Sequence, residues 1–363
     1  MILTILAAAM ATPAGPLEKT CASEARMDFV CGIAVPEDLI AIPDTPWVIA
    51  TSMPRDGSAG GLYLIDSRTR EARKLDLAPM KGAPRFASTA EEAAEAGRCA
   101  PLDPGKLLTH GISLSPSADG VHRLYVVGHG GREAIELFNV DARGSVPSVL
   151  WAGCVEMPAG IEANSVAGLP DGGLMFTTLY DPGETDWQAR MAKLGSALPA
   201  GGVFEWHAGT GFSRLGIPPM SGPNGIAVSE DGRTVFLAGW GDRIVRRVDR
   251  AGKETAAPIT LDFLPDNLHW TPDGALLASG QRETVQGLFS CSFQKDRPTY
   301  CSPQWAVARI DPASLTVTDN WRQDTGGAFG DSTAAIMVEG RLWIGAINGD
   351  RIGVVTPQKQ GGE

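Results

Sequence analysis

Residues Asn224–Asp249 read NGIAVSEDGRTVFLAGWGDRIVRRVD. A polar residue opens a short apolar run, Asp231-Gly232 supplies a turn, and a second run, TVFLA, follows from Thr234. A third run with β character begins at Arg243. Glycine readily takes the positive φ that tight turns between strands require. The flanking runs are rich in the β-branched and aromatic residues that suit a pleated surface. This stretch therefore predicts a β-hairpin extended by a further strand.

The same order recurs along the chain. It reads PEDLIAIPDTPWVIATSM from Pro36, HGISLSPSADGVHRLYVVGHG from His110 and NSVAGLPDGGLMFTTLY from Asn164. It returns as DNLHWTPDGALLASGQ from Asp266 and DSTAAIMVEGRLWIGAING from Asp331, which makes six copies. Asp119-Gly120, Asp171-Gly172 and Asp273-Gly274 repeat the turn chemistry. Starts of successive copies lie about 40 to 75 residues apart, the range of propeller repeats carrying loop insertions. Further strands, such as GLYLID from Gly61, give four per copy. The expectation is an all-β, six-bladed β-propeller with four-stranded blades, one domain over residues 15–363. Irregular inserts interrupt it at residues 79–106 and 181–200, each with the composition of a short helix and loop.

In a propeller the innermost strand of each blade runs along the central channel. The residues opening the six copies therefore converge near one end of the axis: Glu37-Asp38, His110, Asn164, Asn224, Asp266-Asn267 and Asp331-Ser332. Every one is polar, and no Lys or Arg takes the equivalent position. Buried charges need partners. A hard cation with oxygen ligands is the economical solution, and calcium suits this set better than magnesium. Zinc would ask for nitrogen or sulfur. The plainer alternative is that these residues cap strand ends and bind ordered water. Among them, His110 should face the channel, and the following hairpin should bring His129 back beside it. Two adjacent imidazoles can serve as base and proton shuttle for attack by water.

Other features bound the function. A formal net charge of −11, with no basic run, argues against a nucleic-acid partner. No glycine-rich phosphate loop, GxSxG elbow or HExxH is present. Residues 1–14 form an apolar stretch ending near Ala9-Met10-Ala11, the small-residue form of a signal-peptidase site, although no Lys or Arg precedes it. It is shorter than the ~20 apolar residues that span a bilayer. A cleaved signal peptide and a periplasmic or secreted location are the expectation, against a buried N-terminal segment. Six cysteines fit an oxidising compartment. Cys291 and Cys301 flank what reads as a hairpin tip, and a bridge there would stabilise by about 3 kcal/mol. Cys21, Cys31, Cys99 and Cys154 could form two more pairs, which spacing does not assign.

With these residues in view, THGISLSPSADGVHRLYVVGHGGREAIELFNVD resembles the paraoxonase-type lactonases and arylesterases. PEDLIAIPD, NSVAGLPDG, GPNGIAVSEDG and PDNLHWTPDG resemble the family's other ring segments, in order, over roughly residues 30–355. Several of these motifs also suit the wider group of gluconolactonase-like and strictosidine-synthase-like propellers. The resemblance implies a catalytic calcium held by Glu37, Asn164, Asn224, Asp266 and Asn267, and a His110–His129 dyad. It implies hydrolysis of a small-molecule lactone or aryl ester, with the ion polarising the carbonyl. For a second calcium it implies Asp38 and the Ile112 carbonyl, but Ser165 replaces the acidic third ligand. Leu179-Tyr180 and Gly280-Gln281 also depart from the family pattern, and RIGVVTP lacks the family's C-terminal cysteine. The competing readings are a sugar lactonase of the gluconolactonase kind and a non-catalytic binding propeller with a structural metal. Oligomeric state is not legible.

Overall fold

The glycines of the four Asp-Gly turns all take left-handed backbone, with φ of 75° at Gly120, 88° at Gly172, 72° at Gly232 and 81° at Gly274. Each joins the two innermost strands of one blade. A computed structural model describes residues 21–77, 94–292, 294 and 298–358. Within it the repeats fold into six separate four-stranded antiparallel sheets, the six blades of a β-propeller. The innermost strands are Leu39–Ala41, Leu108–Ser115, Val166–Gly168, Pro223–Val228, Leu264–Trp270 and Ser332–Val338, in blades one to six.

Blade six closes the ring. Its outermost strand, Asp28–Cys31, comes from before the first repeat and pairs antiparallel with Arg351–Val355, in the register Cys31↔Arg351. A disulfide between Cys21 and Cys31 fastens its approach. The other pairs are Cys99–Cys154 and Cys291–Cys301. The last is bridged as expected, but not across a hairpin tip. Cys291 sits on a helix, Val285–Ser292, and Cys301 lies just before the strand Gln304–Asp311.

Apolar faces of adjacent blades supply the core. Between blades two and three, Tyr125, Val127, Ile135 and Leu137 pack against Phe176, Phe204 and Trp206, with the Phe176 and Phe204 rings stacked at 5.2 Å. Trp206 is thus part of the core between these two blades. Helix α1, Trp187–Gly195, fills the 181–200 insert, and Asp186 caps it by accepting from the N–H groups of Gln188 and Ala189. Helix α2 is the Val285–Ser292 segment already described. Met191 and Leu194 of α1 share an apolar cluster with Val285 of α2, Leu264, Tyr180 and Trp240. The inserted helices therefore stand together at one end of the propeller. No helix among the described residues is long and apolar enough to cross a membrane. Most of the expected Glu/Ala-rich helix in the 79–106 insert, and the expected signal peptide over 1–14, lie outside the described residues.

One irregularity repeats. The pairing of innermost and second strands slips between Thr109 and Ile112, Pro223 and Ile226, Pro265 and Leu268, and Ser332 and Ala335. A bulge adds a residue to one strand and re-aims its side chains. Three of these four bulges hold the ring residues His110, Asn224, and Asp266 with Asn267.

Candidate functional site

The strand starts meet closely. A Cβ at Gly111 would lie 2.6 Å from the Asn164 carbonyl oxygen, and one at Gly225 would lie 2.4 Å from that of Asp266. Glycine is therefore needed after His110 and after Asn224, because the neighbouring blade's backbone occupies the space a side chain would take. This close approach brings Glu37, Asn164, Asn224, Asp266 and Asn267 together, all of them buried. Asn267 Nδ2 donates to Glu37 Oε1 at 2.8 Å, and the Asn224 side chain hydrogen-bonds Asp266.

Three oxygen atoms in this group have no hydrogen-bond partner: Glu37 Oε2, Asn164 Oδ1 and Asn224 Oδ1. They come from blades one, three and four. A buried polar atom without a partner costs about 1–3 kcal/mol, more when charged. Buried oxygens left open on residues at neighbouring strand starts are what a hard, oxygen-seeking cation satisfies. Glu37 feels the Asp266 charge while Asp266 is hydrogen-bonded by Asn224, so the chemistry of these residues fits the first calcium. Electrostatics agrees. Burial, then the nearby Asp38 and Asp266 charges, push the Glu37 carboxyl well above its ordinary range. Burial also pushes Asp266 up to about 7, against the lowering effect of its Gln281 hydrogen bond.

Asp38 and Ile112 form a different arrangement. The Ile112 N–H donates to Asp38 Oδ2 at 2.9 Å, and the Leu39 N–H donates to Oδ1 at 2.8 Å. His269 Nε2 lies 2.5 Å from that same Oδ1, and both side chains are buried. Each Asp38 oxygen thus accepts from at least one protein donor, whereas Glu37 Oε2 has none. His269 carries no signal in the sequence, because it falls inside an apolar run two residues beyond Asn267.

His110 Nδ1 lies 3.2 Å from His129 Nε2, and His110 Nε2 lies 3.7 Å from Glu37 Oε1. Burial, then the His129 and Arg55 charges, hold the His110 imidazolium well below its ordinary pKa. A neutral imidazole beside the ring can accept a proton. Gln281, a departure from the family pattern in sequence, has a defined place here. Its Nε2 donates to Asp266 Oδ2 and to the Ser332 carbonyl, both at 2.8 Å, while its Oε1 accepts from Trp240 Nε1 at 2.8 Å. It orients Asp266 and ties the ring to the helical end. There, Tyr180 packs edge-on against Trp187, which also contacts Phe289. Burial pushes the Tyr180 hydroxyl well above its ordinary value.

The sixth start behaves otherwise. Asp331 Oδ1 accepts from the Ser302 N–H at 2.6 Å, and Oδ2 accepts from the Cys301 N–H and Asn348 Nδ2, each at 2.8 Å. Asp331 is an anchor for the segment after α2 and offers no open oxygen to the ring.

No protein-family model matches the chain, and no curated protein sequence matches it. Solved structures are similar in fold. A luciferin-regenerating enzyme superposes with a TM-score of 0.52 at 12% identity, covering 92% of this chain and 95% of its own. A candidate gluconolactonase gives 0.48 at 15% identity, over 92% and 93% of the two chains. The virginiamycin B lyase of Staphylococcus aureus gives 0.49 at 14%, over 90% and 96%.

Proposed function

We propose that this propeller is a calcium-dependent hydrolase of lactones and aryl esters, exported to an oxidising compartment. The observation that carries the reading is the trio of partnerless oxygens on Glu37, Asn164 and Asn224, with the His110–His129 pair beside it. Glu37, Asn164, Asn224, Asp266 and Asn267 would hold the ion. When bound, a divalent cation supplies Lewis-acid polarisation of an ester carbonyl. His110 presents Nε2 towards the ring and takes the proton of the attacking water. His129 accepts the proton that His110 releases from Nδ1 and carries it outward. Gln281 keeps Asp266 aimed at the centre, and Tyr180 with Trp240 supplies an apolar wall for the acyl part. A purely structural metal would not need a histidine pair beside it. The three disulfides suit the proposed compartment.

The test is hydrolysis of γ- and δ-lactones, phenyl acetate and gluconolactone, with calcium and after chelation. Turnover that disappears with chelator and returns with calcium supports the reading. Turnover of gluconolactone alone moves it to the sugar lactonases, and no turnover of any substrate leaves a binding propeller. His110→Gln and His129→Gln variants that keep full rates would remove the dyad from the mechanism.

A further inference from the structure

Beyond the two histidines a third group completes a line. His129 Nδ1 lies 2.6 Å from Glu133 Oε2. The line runs Glu37 Oε1, His110, His129, Glu133, with separations of 3.7, 3.2 and 2.6 Å. Side-chain exposure rises along it from 1% at Glu37 through 14% and 18% to 37% at Glu133. It leads from the buried ring to solvent.

The hydrogen-bond chemistry of this line is directional. An ionised carboxylate only accepts, so His129 must present Nδ1–H to Glu133. A neutral imidazole with its proton on Nδ1 has a lone pair on Nε2. His129 Nε2 then accepts from His110 Nδ1–H, and His110 is left with its own lone pair on Nε2, the atom that faces the ring. One carboxylate at the outer end thus selects the tautomer of both rings.

Glu133 is held for this role by its surroundings. Gly130 turns the chain at φ 92°, where a Cβ would lie 2.1 Å from the Lys106 carbonyl oxygen. The Glu133 carbonyl accepts from the Met157 N–H at 2.9 Å. Its neighbour Arg132 is pinned by a two-pronged pair with the buried Glu136 and by the Ala100 carbonyl. The loop is fixed on both sides of the carboxylate.

We infer that Glu133 is a positioning residue of the dyad, fixing the His129 and His110 tautomers so that His110 Nε2 carries the free lone pair. The kinetic part of this inference rests on the hydrolase reading; the tautomer part does not. The chain has five histidines, so ¹⁵N-histidine labelling of the full calcium-loaded protein gives an assignable spectrum without substrate. The expected result is a single Nδ1–H tautomer at His129 in the native protein and a tautomer mixture in Glu133→Ala. Carboxylates behind a functional histidine typically matter about 10- to 100-fold. Glu133→Ala should lower lactonase kcat by about that factor with KM nearly unchanged, and Glu133→Asp should recover part of it. An Nε2–H tautomer at His129 in the native protein, or one undisturbed by Glu133→Ala, overturns the inference. So does a KM rise with kcat intact. If the tautomer shifts but the native protein hydrolyses nothing, the positioning role stands and the hydrolase reading falls.

Discussion

Blades one and six open with the same chemistry, an acidic residue before an apolar strand, yet Glu37 and Asp331 meet opposite fates. Asp331 receives three protein donors, from Cys301, Ser302 and Asn348. Glu37 keeps an oxygen with no partner, as do Asn164 and Asn224. Equivalent position in a repeat says where a side chain arrives. Whether it is free to bind an ion depends on donors that the repeat does not supply. Asp38 makes the same point within one blade, since its neighbour Glu37 keeps an open oxygen while both Asp38 oxygens accept, from Leu39, Ile112 and His269.

The comparison breaks most visibly at the open positions. Glu37→Gln and Asn224→Ala should each reduce lactonase kcat/KM by about 10²- to 10³-fold, the usual size for removing a preorganised transition-state contact. Calorimetric titration should show calcium affinity falling in parallel. Unchanged affinity in both variants would show that the partnerless oxygens hold no ion. Next in size is the ion's effect on folding. Calcium at a hundredfold excess over Kd should stabilise the native chain by about 2.7 kcal/mol. Elemental analysis of the dialysed protein should find one ion per chain, and two would point to a second site at Asp38.

Asp331→Asn tests the saturated side. Asparagine tolerates the left-handed backbone found at this position, φ 48°, but it accepts poorly from three donors. The expected loss is about 1–3 kcal/mol in denaturant unfolding, with calcium affinity unchanged. A fall in affinity matching that of Asn224→Ala would erase the distinction between the two starts. Smallest is an effect far from the ring. Asp28, on the closing strand, is held below its ordinary carboxylate range by hydrogen bonds from Ser23 and Arg341 and by the Arg70 charge. A depressed folded pKa contributes stability that is present above the unfolded value near 3.8 and lost as pH falls through the folded one. Asp28→Asn should cost under about 1 kcal/mol at neutral pH, and the difference from the native chain should vanish in strong acid. A difference that grew on acidification would contradict the shift.

The fold was legible because two independent signals coincided: Asp-Gly turns with β-forming flanks, and a polar residue before each first strand. The meeting of Glu37, Asn164, Asn224, Asp266 and Asn267 followed from that repetition, as did the closeness of His110 and His129. What stayed hidden depends on contacts outside the repeat. The donors to Asp331 come from the segment after α2, and His269 faces inward from a run that reads as plain strand. The bulges at His110, Asn224 and Asp266 leave no mark in the letters apart from a following glycine at two of them. Residues 28–31 precede the first copy, so nothing in the pattern assigns them to the last blade.

That closing strand sets an order of assembly. Cys31 pairs with Arg351, and roughly 320 residues separate them, about 15 s to a minute of ribosomal synthesis. Throughout that interval the strand is an unpaired edge on the emerging chain, open to pairing with another molecule. Blade six is then completed by the first and last strands of the propeller together. The annulus is sealed only when synthesis of its final strand is done, which makes closure a late, non-local and slow event. The Cys21–Cys31 loop, formed from residues close in sequence, can set the geometry of the waiting strand before its partner exists.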